Sequence, residues 1–551
     1  MRTRKQVDYA SMAFVTVSQD PTSYEEAMSS PDKTEWTKAM QEEVKSLKEN
    51  KTWSLVPRPQ GRAIVDSKWV YVRKYKSDGE LERYKARLVA RGFSQVKGID
   101  YSATFSPVVK FPSVRVLFSM AAAENMEIRQ FDIKTAFLYG ELEETIYMKQ
   151  PKGFEEGDQV CLLKKSIYGL KQSPRQWNRK FDSFLLEFGF TATEADPCVY
   201  VSSSSGKEVF MCIYVDDGLV FSRDSSLLKK IMLAMKSKFQ VKEGPLDCYV
   251  GIQVKRELKK KQVFLYQENY AKKILTRFGM ENCKLVSTPM DANVKLTKRM
   301  GYEEDDSDEE KFPFREAIGS LMYLALCSRP DLSYGVSVLS QFMEKPHRLH
   351  WEAVKRMMRY IKGTLDYGLL IDGENHENKL TAYSDSDFAG CLDSRMSRTG
   401  FIFGFNGGII SWRSIKQDSI ALSSTEAEYM AACDAAKETV WLRRLMDGLK
   451  RRQEEPTPLY VDNQSTIRLI EDPTFHQRTK HIHVKYHFVR QEVRKENICV
   501  SYVASQEQLA DVMTKAVTPD IFKRLRQRLN VVSKTWIGDS NLRESLVSKF
   551  E

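Results

Sequence analysis

The sequence has no closely spaced cysteine pair and no apolar run long enough to cross a membrane. Its nine cysteines are scattered without a Cys-x-x-Cys pair, which argues against a zinc ribbon and against a disulfide scaffold. No apolar run approaches the roughly 18 residues of a membrane-spanning helix. The basic N-terminus is followed by no apolar signal core. We therefore expect reduced thiols, no membrane contact and an intracellular location.

Acidic residues are fewer than basic ones. The 551 residues include 85 Lys and Arg against 74 Asp and Glu, a net charge of +11. Seven of the eight residues in 303–310 are acidic, so the rest of the chain is more basic than the net charge indicates. This charge permits a nucleic-acid partner without proving one. The length and the 42% hydrophobic content predict a folded chain of three or four domains.

Two adjacent carboxylates, Asp216 and Asp217, end a strongly apolar predicted strand over residues 210–215. A third carboxylate, Asp132, ends another predicted strand over residues 128–131. If the two strands are neighbours, the three carboxylates converge, and their repulsion favours the binding of two Mg²⁺ ions. Such a metal pair activates an attacking 3′-oxygen and stabilises the leaving pyrophosphate. Taken alone, an Asp-Asp pair more often marks a hairpin turn.

Four motifs surround these carboxylates. They are KARLVARGF at residues 85–93, QFDIKTAFLYG at 130–140, SIYGLKQSPRQW at 166–177 and YVDD at 214–217. In this order they resemble the fingers motif, the first carboxylate motif, the template-and-nucleotide motif and the palm hairpin of the reverse transcriptases of copia-type LTR retrotransposons. The resemblance covers about residues 36–515. It implies that the three aspartates are the catalytic metal ligands of a polymerase.

The resemblance also assigns nucleotide-binding residues. Lys85 and Arg87 are expected to hold the triphosphate through charge-assisted hydrogen bonds, although two basic residues on a strand are as often a solvated face. The bulky Phe137 is expected to exclude a 2′-hydroxyl, or to pack in the core, or both. Gly169 is expected to let the backbone approach the base pair closely, and Lys171 is assigned to nucleotide binding with it.

A short segment downstream resembles the primer grip of the same family. Its residues Tyr249, Val250 and Gly251 depart from the usual Phe-Leu-Gly. Lys242 precedes this turn and is a candidate general acid for pyrophosphate. Several other lysines lie nearby in the sequence, so a surface lysine is the commoner explanation for it.

A second group of acids lies between residues 381 and 515. Asp385, Glu428, Asp462 and Asp511 fall in this order on a predicted strand, helix, strand and helix. The order resembles ribonuclease H in its copia-type version. Four acids can hold two metal ions about 4 Å apart for in-line attack on a phosphodiester. Any one of these acids alone is explained as a surface charge, but all four in this order are not.

Two assignments in this second group are less direct. Glu426 competes with Glu428, but Ser423 and Glu426 form a predicted capping box that directs Glu426 back to the helix start, so we choose Glu428. Many ribonucleases H have a histidine shortly before the last aspartate, and residues 503–507 contain none. His481, within the cluster of histidines over residues 476–487, is a weak substitute, and local polar contacts explain this cluster as well.

The predicted fold is a multidomain α+β and α/β chain: a right-hand polymerase, a helical connection and a ribonuclease H-like α/β domain. The predicted division is a tail at 1–29, reverse transcriptase fingers and palm at 30–255, thumb and connection at 256–375 with an acidic linker at 303–310, a ribonuclease H-like domain at 376–518 and a C-terminal tail at 519–551. With no protease motif and no integrase zinc head before residue 30, the chain is expected to be the C-terminal part of a Pol polyprotein.

The predicted activity is addition of deoxynucleotides to a primer on RNA and then DNA, with cleavage of RNA in hybrids. Two Mg²⁺ ions per site are expected, or Mn²⁺ in their place. The expected partners are an RNA template, a DNA primer, RNA/DNA hybrid, deoxynucleoside triphosphates and other element-encoded proteins, in cytoplasmic particles with nuclear delivery of the product. The alternative is a captured, catalytically silent nucleic-acid-binding protein. A nuclease alone does not explain residues 30–255.

Overall fold

The structure, a computed structural model, describes residues 20–75, 80–204, 206–298, 312–374, 377–472 and 483–538. The acidic linker at 303–310, His476 and His481 lie outside the described residues. Within the described ranges, no helix is long and apolar enough to span a membrane.

The described part of the chain alternates helices and strands throughout. Its helices are α1 Tyr24–Ser29, α2 Lys33–Glu49, α3 Phe111–Ala123, α4 Ser173–Glu187, α5 Ser225–Lys238, α6 Glu268–Arg277, α7 Phe314–Cys327, α8 Ser333–Leu339, α9 Arg348–Lys362, α10 Ser424–Gly448, α11 Gln464–Glu471, α12 Phe488–Arg494, α13 Asp511–Thr514 and α14 Pro519–Arg528. Its strands are β1 Trp53–Pro57, β2 Ile64–Val65, β3 Ser67–Tyr75, β4 Leu81–Ala90, β5 Glu127–Ile133, β6 Glu141–Met148, β7 Gln159–Lys165, β8 Thr191–Ala192, β9 Val199–Ser204, β10 Lys207–Tyr214, β11 Asp217–Ser222, β12 Val241–Gly244, β13 Cys248–Tyr249, β14 Ile252–Glu257, β15 Gln262–Tyr266, β16 Tyr367–Asp372, β17 Leu380–Ser386, β18 Arg398–Phe405, β19 Gly408–Lys416, β20 Thr457–Val461, β21 Ile498–Tyr502 and β22 Val531–Ser533.

The N-terminal unit packs helix α2 against the hairpin of β3 and β4. Alternate residues of β4, Ala86 and Leu88, are buried in this contact, so the intervening Lys85 and Arg87 point away from it. The predicted tail at 1–29 is wrong for residues 20–29. Arg73 of β3 pairs with Asp20 at 3.1 Å, and this ion pair ties the preceding chain to the hairpin.

The palm is a six-stranded sheet in the order β12-β5-β11-β10-β9-β8, in which all neighbours are antiparallel. The apolar strands β10 and β11 lie at its centre and are buried almost throughout. A hairpin of β10 and β11 next to β5 brings the ends of these strands to one edge of the sheet. That edge carries Asp132 and Asp217 in register with each other.

The connection contains a five-stranded sheet in the order β13-β14-β15-β16-β22. Its last strand shows that residues 519–533 are not a tail, contrary to the prediction. Phe522 and Leu525 lie one turn apart on α14 and are buried, as are Val531 and Val532 of β22. Burial of these apolar side chains returns the chain to β16, where Leu369 is opposite Val531.

The C-terminal α/β unit has the strand order β19-β18-β17-β20-β21. The first three strands are antiparallel, whereas β17, β20 and β21 run parallel. Helix α10 crosses this sheet with a stripe of alanines, including Ala431, Ala432 and Ala435, that are all fully buried. The mixed helix-and-sheet, multidomain architecture predicted from the sequence is thereby confirmed.

Helix α3 joins the palm to the C-terminal unit. Eleven of its thirteen residues are buried, which is typical of a helix enclosed on all sides. The guanidinium of Arg115 donates hydrogen bonds to the carbonyls of Ile410 at 2.7 Å, Leu326 at 2.8 Å and Cys327 at 3.1 Å. It also lies 3.9 Å from the ring centre of Trp412. One buried side chain thus binds the palm, the connection and strand β19 together.

Arg115→Met is expected to lower the free energy of unfolding by about 3 kcal/mol or more, because three buried carbonyls lose their donor. The shift in the denaturant midpoint measures this loss. Lys230→Met, at an exposed position of α5, is the control and is expected to change stability by at most about 0.5 kcal/mol. Equal midpoints for the two variants would contradict the bridging role of Arg115.

Candidate active sites

The first carboxylate cluster lies at the edge of the palm. Asp132 of β5 and Asp217 of β11 are opposite each other across the ladder, and Asp216 occupies the two-residue turn between β10 and β11. The carbonyl of Val215 accepts a hydrogen bond from the indole of Trp177 at 2.6 Å. The carbonyl of Asp216 accepts one from the amide of Ile133 at 2.9 Å. The turn is therefore fixed from α4 and from β5.

Both loops that carry these carboxylates contain a β-branched residue in the left-handed region. Val215 has φ of 60° and Thr135 has φ of 52°. Each such conformation costs on the order of 1–3 kcal/mol and persists only where the surrounding structure enforces it. The fixed Val215 carbonyl supplies part of that constraint at the hairpin turn. Backbone strain is thus concentrated beside the clustered acids.

The three carboxylates repel one another in a poorly solvated place. Burial, together with repulsion from Asp216 and Asp132, raises the pKa of Asp217 to about 7. Burial, with repulsion from Asp132, also raises the pKa of Asp216. Burial and repulsion therefore oppose the ionised form of Asp216 and Asp217 unless cations offset the negative charge.

Lys85 and Arg87 face this cluster from β4. Both basic groups interact with Asp216, so these residues are not a solvated face remote from the carboxylates. Burial, and then repulsion from Arg87, lowers the pKa of Lys85 to about 8. The guanidinium of Arg87 lies 4.5 Å from the ring centre of Tyr168, and this contact orients it. The arrangement can receive a polyphosphate between the basic pair and the acids.

Phe137 packs edge-on against Tyr168, with 4.8 Å between the ring centres. It also lines a cleft of about 600 Å³ together with Trp177 and Val215. The side chain is therefore half-buried and lies both in the core and at the wall of an opening beside the turn. This position fits both roles considered for it from the sequence.

Gly169 and Lys171 lie against the protein's own backbone. A Cβ on Gly169, which has φ of 92°, would stand 2.1 Å from the carbonyl oxygen of Ala90. The ammonium of Lys171 donates to the carbonyl of Gln95 at 3.0 Å and lies 4.9 Å from the ring centre of Tyr101. The close approach that requires glycine is thus to strand β4, and the side chain of Lys171 is engaged by the loop after it.

Tyr249, Val250 and Gly251 form the turn between β13 and β14, with Val250 at φ of 46° and Gly251 at 73°. The ring of Tyr249 is fully buried. The carbonyl of Val250 accepts a hydrogen bond from the hydroxyl of Tyr323 on α7. Gln130 of β5 donates to the carbonyl of Cys248 at 2.9 Å. Hydrogen bonds therefore hold this turn to both the palm and the connection.

The second cluster lies at the strand ends of the C-terminal sheet. Three carboxylate oxygens lie within 4.8 Å of one another, one each from Asp385, Asp462 and Asp511. Asp385 is near the end of β17, Asp462 directly follows β20 and Asp511 begins α13. Because β17 and β20 are parallel neighbours, their carboxyl ends meet at the same edge. The sequence order therefore becomes a spatial cluster.

Of the two candidate glutamates on α10, Glu426 and Glu428, it is Glu428 that faces the cluster. Its carboxyl interacts with Asp385 and Asp462, and burial followed by their repulsion raises its pKa well above the usual range. Glu426 instead accepts a hydrogen bond from the amide of Leu422 at 2.8 Å, while Ser423 caps the Glu426 amide at 3.1 Å. The capping arrangement expected from the sequence holds, except that the glutamate reaches one residue further back.

The second cluster suits hard divalent cations. Converging carboxylate oxygens are the ligands that Mg²⁺ and Mn²⁺ prefer. Among the described residues, Oε2 of Glu428 is buried without a hydrogen-bond partner, an arrangement that is costly unless a cation or water satisfies it. The residues present therefore fit the metal ions expected at the second cluster.

Sequence reasoning missed Lys515. Its ammonium lies 2.7 Å from Oδ1 of Asp511 and 3.7 Å from Oδ2 of Asp385. The spacing of four residues from Asp511 within a helical turn could have indicated the first of these contacts. His487, from the histidine cluster, is hydrogen bonded at Nδ1 to the hydroxyl of Tyr429 at 2.8 Å, which supports the local structural explanation for it.

Comparison with known proteins agrees with this geometry. Residues 50–292 match the family described as reverse transcriptase (RNA-dependent DNA polymerase), so this part of the chain is a reverse transcriptase domain. The Pol polyprotein of transposon TNT 1-94 from Nicotiana tabacum is 43% identical over 534 residues, which is 95% of this chain and 40% of that protein. The Pol polyprotein of transposon RE2 from Arabidopsis thaliana is 40% identical over 90% of this chain and 34% of that protein. Over most of its length the chain is therefore similar to the Pol polyproteins of plant copia-type retrotransposons.

The chain spans about two fifths or less of the length of these relatives. Among solved structures, a foamy viral protease-reverse transcriptase in complex with RNA/DNA hybrid matches with a TM-score of 0.45 and 12% identity, over 88% of this chain and 55% of that chain. Ribonuclease H1 of Halobacterium salinarum matches with a TM-score of 0.17 and 17% identity, over 25% of this chain and 94% of that chain.

The raised pKa of Asp217 predicts how stability depends on pH in the metal-free protein. Its folded pKa of about 7 lies above the ordinary value of 3.8, so the folded state binds this proton more tightly and loses stability as pH rises between these values. In EDTA, the wild type is expected to lose on the order of 2 kcal/mol more than Asp217→Asn between pH 5 and 8. Denaturant unfolding at each pH measures this difference.

The exposed Asp158→Asn controls for the loss of a surface carboxylate. If the wild type and Asp217→Asn lose stability equally over this pH range, the repulsion within the first cluster does not act on Asp217.

Proposed function

We propose that this chain is an active RNA- and DNA-directed DNA polymerase with a separate ribonuclease H site. The observation that carries the proposal is the presence of two separate carboxylate clusters, each of half-buried or buried acids gathered at one edge of a different sheet. At the first cluster a primer 3′-hydroxyl attacks the α-phosphate of a deoxynucleoside triphosphate and releases pyrophosphate. At the second, the RNA strand of a hybrid is cut.

At the first site the protein supplies metal ligands, basic side chains for the triphosphate and an aromatic side chain that limits the opening. Asp132, Asp216 and Asp217 would hold two divalent cations, which when bound lower the pKa of the attacking hydroxyl and neutralise the phosphates. Lys85 and Arg87 orient the triphosphate across from them. Phe137 closes the side of the opening where a 2′-hydroxyl would stand. The exposed Lys242, opposite Asp132 in the ladder, is the candidate to protonate the leaving pyrophosphate.

At the second site Asp385, Glu428, Asp462 and Asp511 would hold the cations for attack of water on an RNA phosphodiester. The turn of Tyr249 to Gly251 supports the primer end. Lys171 holds the loop after β4 in place, and Gly169 allows its own loop to approach strand β4 closely. Magnesium serves both sites, with manganese as a substitute.

The proposed partners are an RNA template, a DNA primer, RNA/DNA hybrid and deoxynucleoside triphosphates, together with other element-encoded proteins in a cytoplasmic particle that delivers its product to the nucleus. Binding through phosphates gives little sequence preference and a steep salt dependence. We assign residues 30–255 to fingers and palm, 256–375 to thumb and connection and 376–518 to the nuclease, with two changes to the division expected from the sequence. Residues 248–257, which form β13 and β14, belong to the connection sheet, and residues 519–533 return to it.

Single substitutions are expected to separate the two activities. Asp217→Asn should lower primer extension on an RNA template by orders of magnitude, because a neutral amide weakens the metal site, yet leave cleavage of a preformed hybrid nearly unchanged. Glu428→Gln should do the reverse. Extension of labelled primer and cleavage of labelled RNA are measured on the same preparations.

Glu426→Gln is the matched control, since it alters the neighbouring glutamate that serves the helix start, at a cost of about 1 kcal/mol or less. Loss of cleavage in Glu426→Gln but not in Glu428→Gln would show that the wrong glutamate was chosen. A wild type no more active than the two catalytic variants would establish the silent, captured protein instead.

Phe137→Ala is expected to let the polymerase accept ribonucleotides, because removal of the ring opens space for a 2′-hydroxyl. The ratio of kcat/KM for a deoxynucleotide to that for the matching ribonucleotide should fall at least about tenfold, which is 1.4 kcal/mol of discrimination. Phe137→Tyr, which keeps the bulk, should retain it. An unchanged ratio in Phe137→Ala would leave Phe137 with its packing role against Tyr168 alone.

A further inference from the structure

The second carboxylate cluster is contacted by the ammonium group of a lysine. The ammonium of Lys515 is within ion-pair distance of both Asp511, at 2.7 Å, and Asp385, at 3.7 Å. These are two of the three aspartates whose oxygens converge. The side chain of Lys515 remains 44% exposed, so it reaches the cluster from the solvent side.

The turn that precedes Lys515 packs directly against the sheet. Gly400 of β18 lies opposite Asp385 in the ladder, and a Cβ there would stand 2.7 Å from side-chain carbons of Met513 and Thr514. The absence of a side chain at Gly400 lets the turn lie directly on the strand. Thr514 also donates its hydroxyl proton to the carboxylate of Asp385. The position of Lys515 follows from this packing.

A cavity of about 240 Å³ opens beside Lys515 and is lined also by Asp387, Arg398 and Lys416. It lies between the turn and helix α8, to which Arg398 donates a hydrogen bond at the hydroxyl of Ser337. The ammonium therefore has space to leave the carboxylates without disturbing the packed core.

We propose that Lys515 is a positioning residue that acts as a built-in counter-ion of the second cluster. In the metal-free protein its ammonium holds Asp385 and Asp511 together, and binding of divalent cations displaces it into the adjoining cavity. Lys515 thus competes with metal for the same oxygens. This inference rests on the proposed function only in requiring that the second cluster binds metal.

The test is binding of Mn²⁺, measured by calorimetry in the full chain carrying Asp132→Asn and Asp217→Asn, which weaken the first cluster. In this background Lys515→Gln is expected to bind Mn²⁺ at least about fivefold more tightly, because a competing charge is gone. Lys515→Arg keeps the charge and should stay near the parent. Lys437→Gln is the matched control, since Lys437 is 48% exposed and pairs with Asp434 at 2.8 Å.

An affinity for Mn²⁺ that is unchanged or weaker in Lys515→Gln would overturn the proposal. Tighter binding cannot result from damage to the fold, because such damage weakens binding. If Glu428→Gln does not reduce the binding of Mn²⁺ by the parent, the second cluster is not a metal site. That result would overturn the proposed function, and it is distinguishable from failure of the inference about Lys515.

A second test uses the wild type, so it does not depend on whether a Lys515 variant folds. Mass spectrometry follows the acetylation rate of Lys515 by an amine-reactive ester with and without Mg²⁺. Mg²⁺ should raise the rate at Lys515 several-fold and leave that of Lys437 unchanged. An equal or lower rate at Lys515 with Mg²⁺ would show that metal does not release the ammonium.

Discussion

The buried guanidinium of Arg115 is the contact on which the arrangement of the units depends. It is fully enclosed, and this burial lowers its pKa to about 9. Its hydrogen-bond acceptors are backbone carbonyls, from strand β19 and from the end of α7. Backbone carbonyls cannot be substituted or moved independently of their elements, so the palm helix, connection and C-terminal sheet are held in one geometry. A charge buried in this way is retained only where its donors are all used.

A second constraint, mutual repulsion of carboxylates, shapes both candidate sites. The first cluster draws its acids from two neighbouring strands and a turn, and the second from two parallel strands and two helices. Basic side chains face both clusters, Lys85 and Arg87 at the first and Lys515 at the second. The basic groups differ in the element that carries them. Those of the first site lie on the separate β3–β4 hairpin, whereas Lys515 follows Asp511 by four residues and contacts the carboxylates directly. Repulsion among the acids is thus offset by a separate hairpin in the palm and by the neighbouring turn in the C-terminal sheet.

Local sequence patterns were sufficient to place the strands that bear the acids. The apolar strand before Asp216 and the hairpin of β3 and β4 follow from alternation and turn residues alone. The contacts of Arg115 did not follow, because its partner Ile410 lies 295 residues away and nothing local marks the pair. Gly169 was expected to face a base pair, yet the neighbour that excludes its side chain is Ala90. The return of residues 519–533 was missed although Phe522 and Leu525 have helical spacing.

The shared scaffold and the separate clusters have different consequences for substitution. Acids of one cluster supply no ligand to the other among the described residues, so their chemical effects are separable, as expected for distant sites. Helix α3 is different, because Ser119 donates to the carbonyl of Phe405 at 2.8 Å and Arg115 to that of Ile410. Removal of the C-terminal unit would expose this almost wholly buried helix to water and leave its polar groups without partners. The two carboxylate clusters are therefore separate, whereas the palm helix α3 is packed and hydrogen bonded against the sheet that carries the second cluster.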